Sequence, residues 1–205
     1  MSVVLPLLLF VIFIAVVASL YTEGMWGNAI MLINVVTAGL IATNYFEPMA
    51  GWLEGWNDWF KSCTYLMDFL SLWLLFVVAM IVLRLFSDKI CRVKVRFLSL
   101  ANQIGSVVFA CLVALVVLCF TTFTLHTAPL GKNFMYGAFK ADQGVIWGWA
   151  PDQWWIYFSR MVSNQSYCRM KVNMFDRTGQ FTKNYETRRI AIETHVESTQ
   201  SIRVN

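Results

Sequence analysis

Residues 25–46 read MWGNAIMLINVVTAGLIATNYF and contain no Asp, Glu, Lys or Arg. At 1.5 Å per residue, a helix over this stretch is about 33 Å long, enough to cross ~30 Å of hydrocarbon. A helix on the surface of a soluble domain would carry a charged stripe opposite its apolar face, and this stretch has none. Its natural solvent is lipid.

The same reading extends outward in both directions. Residues 3–20, VVLPLLLFVIFIAVVASL, form another uncharged run. No basic segment precedes it, as a secretory signal would require, so a retained helix is expected. The connection Tyr21-Thr-Glu-Gly24 is short, which predicts an antiparallel hairpin of the first two spans. Pro48 is expected to end the second helix. A third span is expected over 65–85 (YLMDFLSLWLLFVVAMIVLRL), and a fourth over 98–125, which is longer than a bilayer requires and so tilted or emergent. Pro129 and Gly131 mark its stop.

Composition agrees with this reading. Of the 205 residues 58% are hydrophobic and 14% charged, against roughly 25% charged in soluble domains. The net charge of +4 is spread over two regions and forms no basic face, so no nucleic-acid partner is expected. Cys63, Cys91, Cys111, Cys119 and Cys168 lack the spacings of a zinc site or a disulfide framework. The GxSxG, HExxH and phosphate-loop patterns are also missing, so the sequence indicates no enzyme, cofactor or metal.

Between the second and third spans lies MAGWLEGWNDWFK, residues 49–61. Trp52, Trp56, Trp59 and Phe60 recur at helical spacing, with Glu54, Asp58 and Lys61 on the other side. This pattern predicts an amphipathic helix in the membrane interface. In the tail, residues 131–205, Trp154 and Trp155 are candidate interfacial anchors within an aromatic cluster around Pro151-Asp152, where an amphipathic helix is expected near 151–163. The run 169–175 alternates at period two, and Asp176-Arg-Thr-Gly179 resembles a turn into a second strand. Residues 188–196 read as another strand or a disordered end. The tail is too small for a substantial core of its own and should pack on the membrane domain or on a partner. The expected fold is thus an all-α membrane protein: about four transmembrane helices over 1–130, an interfacial helix, and a small mixed or irregular C-terminal tail.

Positively charged loops stay on the cytoplasmic side. The third-to-fourth connector carries Lys89, Arg92, Lys94 and Arg96 against Asp88, with Arg84 at its membrane edge. The opposite loop carries Lys61 against Glu47, Glu54 and Asp58. This places the connector in the cytoplasm and the tail outside it, in the periplasm of a bacterial source, although Lys132 and Lys140 pull the other way.

Four polar side chains in the spans are candidate site residues: Asn34, Asp68, Asn102 and His126. Small and polar residues at steps of four in the fourth span, Asn102, Ser106, Ala110 and Ala114, suit close helix packing, and an amide in hydrocarbon seeks a partner on a neighbouring helix. The alternative is a polar pathway for an ion or solute. Asp68 either stays hydrated near a helix N-terminus or takes part in ion coupling. His126, among Thr121, Thr122, Thr124 and Thr127, reads as an interface residue beside hydroxyls that bond to backbone carbonyls, with catalysis the minor alternative.

The stretches Gly24-Met-Trp-Gly-Asn-Ala-Ile-Met-Leu-Ile-Asn34, Ala42-Thr-Asn-Tyr-Phe-Glu-Pro48, Tyr65-Leu-Met-Asp-Phe-Leu70, Arg92-Val-Lys-Val-Arg-Phe97, Asn102-Gln-Ile-Gly105 and Phe123-Thr-Leu-His-Thr-Ala-Pro129 resemble the colicin V production protein (CvpA) family of bacterial inner-membrane proteins, in the version typical of planctomycete-like bacteria. The resemblance covers roughly residues 1–130. This chain lacks the acidic residue early in the first span and the Arg-Gly pair after it, and has Asn102-Gln103 where other members carry Asp-Arg. The resemblance implies a role in toxin-peptide export, envelope homeostasis or surface-associated growth, without an agreed active site. The expected function is a non-enzymatic accessory or scaffold subunit, with the bilayer and other membrane proteins or further copies of itself as partners. The alternative is a subunit of a small channel or transporter built on Asn34, Asp68 and Asn102.

Overall fold

The computed structural model describes residues 4–56, 64–91, 99–129, 150–163, 175–176 and 178–203, with side chains given for 64 and 66–91 in the second of these segments and to 194 in the last. Six helices and no strands occur among them: α1 (Val4–Leu20), α2 (Gly24–Glu54), α3 (Thr64–Ile90), α4 (Ser99–Thr127), α5 (Pro151–Val162) and α6 (Phe181–Arg203). Three of them, α2, α3 and α4, are long and apolar enough to cross a membrane, and α1 is a shorter apolar helix of 17 residues, at the low end of a spanning length. The chain is an all-α, multi-pass membrane protein.

Burial explains why lipid must surround it. On α3, Leu66, Leu70, Leu74, Val77, Val78, Ile81, Val82 and Leu85 are all exposed, and on α1 so are Leu7, Phe10, Val11 and Ile14. Meanwhile Asn28, Ser71 and Thr122 are fully buried. An apolar exterior around a partly polar interior is stable only where the solvent is itself apolar. Helix α2 is the centre of the bundle, packing on α3 and on α4, while α1 packs on α4. Small residues allow this approach: Ala38 and Ala42 on α2 and Ala110 and Ala114 on α4 have no exposed surface.

Two expectations need correction. Pro48 does not end the second helix, because α2 continues to Glu54. Proline forfeits one helical N–H and crowds the Asn44 carbonyl, but Phe46 and Ala50 are buried on either side of it, and that packing keeps the helix going. The segment 49–54 is therefore an extension of α2 and not a separate interfacial helix. Trp52 and Trp56 at its end are 52% and 69% exposed, with ring centroids 4.5 Å apart. Trp59 lies outside the described residues.

Among its described residues the tail also holds no strand. Residues 169–174 fall outside the described residues, but 181–203, expected to hold a second strand and then a third strand or a disordered end, form α6. Asp176 initiates it: its Oδ1 accepts from the backbone N–H groups of Gln180 (2.9 Å) and Phe181 (3.1 Å), which an N-terminal turn otherwise leaves unsatisfied. Phe181, Tyr185, Arg188 and Arg189 then fall on one face at helical spacing.

Both tail helices sit at the bundle end formed by the C-terminal halves of α2 and α4 and the start of α3. Trp155, Ile156, Phe175 and Phe181 join Phe46, Phe120 and Phe123 in one buried cluster. The tail's core is the membrane domain's core.

Candidate functional site

The polar side chains gather at two opposite ends of the bundle. At the tail end, His126 and Asp152 form a buried pair. His126 is in the last turn of α4, and its Nε2–H donates to Asp152 Oδ2 at 2.8 Å. Asp152 occupies the first turn of α5, just after Pro151, where the helix dipole favours a carboxylate. Their side chains are 1% and 5% exposed. The neighbouring threonines do not turn toward the imidazole. Thr122, Thr124 and Thr127 donate to backbone carbonyls three or four residues back, at 2.8–3.0 Å.

Asp68, in the second turn of α3, pairs with Arg188 of α6 and accepts from the Tyr185 hydroxyl at 2.9 Å. Arg188 also donates to the Thr64 carbonyl at 2.8 Å. Burial, with Asp68 close by, raises the Tyr185 phenol above its ordinary pKa. Arg189 donates to the carbonyls of Leu125 and His126 at 3.1 and 3.2 Å, capping the C-terminus of α4, and burial lowers its pKa. Trp155, expected as an interfacial anchor, is instead buried in the bundle: its Nε1–H donates to Thr43 Oγ1 at 3.0 Å, and its ring lies across Gly39, where the missing side chain leaves room for it. Ser163 donates to Asn44 Oδ1 at 2.7 Å and accepts from the Phe175 N–H.

At the other end, Asn34 Oδ1 accepts from the Ser87 hydroxyl at 3.0 Å, joining α2 to α3. Asn102 Oδ1 accepts from the Met25 N–H at 3.0 Å, so an α4 side chain caps the start of α2. Asn28, which the sequence reading passed over, is fully buried, and its amide lies 3.0 Å from the Leu20 carbonyl and from the carbonyl and hydroxyl of Ser106. An exposed pair links Arg84 to Glu23 at 3.3 Å. A cavity of about 500 Å³ opens here, and both Asn34 and Asn102 line it.

The four candidate residues therefore divide. Asn34 and Asn102 share the cavity; Asp68 and His126 belong to the tail contacts, at separate places. Sequence reasoning missed their partners Ser87, Asp152, Tyr185 and Arg188. The spacing Phe181, Tyr185, Arg188 was a legible sign of α6, but nothing in the text showed that Arg188 meets a residue 120 positions away. Among the described residues no cluster of His, Cys, Asp and Glu could hold a metal ion.

Residues 6–142 match the colicin V production protein family. The chain belongs to that family. No curated protein and no solved structure matches it. The match to the colicin V production family takes in α1 to α4, hence Asp68 and His126, but ends before α5. The partners Asp152 and Arg188 lie beyond it, on the two helices that cap this member of the family.

Proposed function

We propose that this colicin V production family member is a non-enzymatic accessory or scaffold subunit of the bacterial inner membrane, serving secretion or envelope homeostasis. The observation that carries the reading is how Asp68 and His126 are used. Each is the membrane-domain half of a contact that fastens the tail: Asp68 to Arg188 and Tyr185, His126 to Asp152. A carboxylate held by a guanidinium and a phenol is poorly suited to passing a mobile ion, and well suited to fixing a rigid platform.

Packing supports the same reading. Between the cavity at one end and the cap at the other stand Trp73, Phe76 and Phe120, with Phe76 stacked on Phe120 at 4.5 Å and Trp155 of the cap edge-on to Phe120. This aromatic layer favours a scaffold over a pore through a single copy. By the positive-inside rule the basic connector faces the cytoplasm and the cap the periplasm. Trp154, Tyr157 and Met161 project from α5, Trp154 and Tyr157 being 68% and 72% exposed, and offer aromatic anchors to the bilayer interface or to another membrane protein.

Cross-linking in membranes, followed by purification in mild detergent, tests the proposal. A defined partner should be recovered with the wild type and lost with Trp154→Ala/Tyr157→Ala. In liposomes, ion flux that disappears with Asp68→Asn or Asn34→Leu would replace the scaffold with a channel or transporter subunit.

A further inference from the structure

The cavity opposite the cap has the volume of a ligand site, about 500 Å³. It is a groove between one face of α2 and the last turns of α3, with Gly27 in its lining beside Glu23. Its floor is Asn34, 5% exposed, whose Oδ1 lies 3.0 Å from the Ser87 hydroxyl, which it shares with the Leu83 carbonyl at 2.7 Å. The Asn34 Nδ2 group has no acceptor among the described residues and is available to the cavity.

The rim carries both signs of charge. Arg84 spends Nη2 on Glu23 at 3.3 Å and keeps its other N–H groups, which favour a phosphate. Glu23 and Asp88 supply carboxylates. Trp26 and Ile30 form apolar wall. The outer faces of the same helices continue apolar, with Ile33 66% and Leu85 59% exposed.

We propose that this cavity is a headgroup site for an aminophospholipid of the phosphatidylethanolamine class. The phosphate meets Arg84 and the Asn34 amide, the primary ammonium meets Glu23 and Asp88, and the acyl chains follow the apolar outer faces of α2 and α3. Among the described lining residues two carboxylates stand against one guanidinium, a balance that suits a zwitterionic headgroup better than a purely anionic one. A quaternary choline ammonium has no N–H to donate to carboxylates and is instead held by aromatic cages, which the described lining does not form. The site is independent of the scaffold role: it could be occupied whether or not the cap recruits a partner.

Cys91, a free and partly buried thiol in the lining, provides a direct readout. The full chain in mild detergent is titrated with phosphatidylethanolamine, phosphatidylcholine and phosphatidic acid of identical chains, and with free phosphoethanolamine. Maleimide labelling of the Cys91 peptide is followed by mass spectrometry, together with displacement of an acyl-labelled phosphatidylethanolamine. Phosphatidylethanolamine should protect Cys91 and displace the probe at a concentration at least about tenfold below the other lipids, the factor expected for one charge-assisted hydrogen bond. Free phosphoethanolamine should do neither. Gly27→Leu, which fills the groove, and Asp88→Asn, which leaves its shape intact, should each weaken binding about tenfold. Equal potency of the three lipids would mean annular lipid only, and equal potency of free phosphoethanolamine would mean a soluble zwitterion. Either result, or unchanged binding in Asp88→Asn, overturns the proposal.

Discussion

Replacing Gly39 with alanine tests how α5 is seated on the bundle. A Cβ at this position would lie 2.6 Å from Cη2 and 2.7 Å from Cζ2 of Trp155, and 3.5 Å from Phe120. Carbon atoms in contact prefer about 3.5–4.0 Å, so the indole would have to retreat by about 1 Å. It has little freedom to do so, because Nε1–H is held by Thr43 at 3.0 Å and the ring stands edge-on to Phe120 at 5.5 Å. Overpacking of this kind costs about 1–3 kcal/mol. Trp155→Ala removes the whole ring from a site where it is 3% exposed, at a cost of about 3–5 kcal/mol. In the double variant the new methyl enters space the indole has vacated. Its cost should therefore match Trp155→Ala alone, and fall short of the sum of the single costs by about 1–3 kcal/mol. Hydrogen exchange of the α5 amides, residues 152–162, reads the local opening free energy in each variant. If the single costs simply add, Gly39 does not act through Trp155, and the close fit between α2 and α5 is refuted.

Three further outcomes follow from the same contacts. Asp68→Asn keeps an acceptor for Tyr185 but removes the charge facing Arg188; at 14% and 25% exposure the pair is between buried and surface regimes, so α6 should loosen by about 2 kcal/mol, seen as faster exchange over 181–194. The raised pKa of Tyr185 means that the folded protein holds the phenolic proton more tightly than the unfolded chain does. Its contribution is therefore complete below the unfolded value of ~10 and falls away as pH rises beyond it. An alkaline release of α6 should be seen in the wild type and be absent from Tyr185→Phe. Asn28→Ala removes the amide that ties α1, α2 and α4 together, leaving the Leu20 and Ser106 carbonyls without it; thermal unfolding in detergent should show a loss of about 1–2 kcal/mol, and an unchanged midpoint would mean the contacts are incidental.

The membrane character and the helices were legible in the text because the bilayer imposes its rule locally. A charge in hydrocarbon is costly wherever it occurs in the chain, so the uncharged run 25–46 declares its environment without reference to any other segment. Pro48 misled because its local penalty is fixed, whereas the compensating burial of Phe46 and Ala50 depends on what packs there. The end of the chain misled for a related reason: Asp176-Arg-Thr-Gly179 resembled a turn into a strand, while the helix of 181–203 depends on Asp176 capping and on a bundle surface for Phe181 to enter.

The sequence by itself determined the solvent, the number of long apolar segments and the polar side chains that could not rest in lipid unaccompanied. The tertiary structure decided what accompanies them. Asp68 and Arg188, His126 and Asp152, Asn28 and Ser106, and Asn34 and Ser87 are separated by 120, 26, 78 and 53 positions. Polar pairing acts over a few ångströms in space and leaves no periodic trace along the chain, so each need was visible in one dimension and each answer in three.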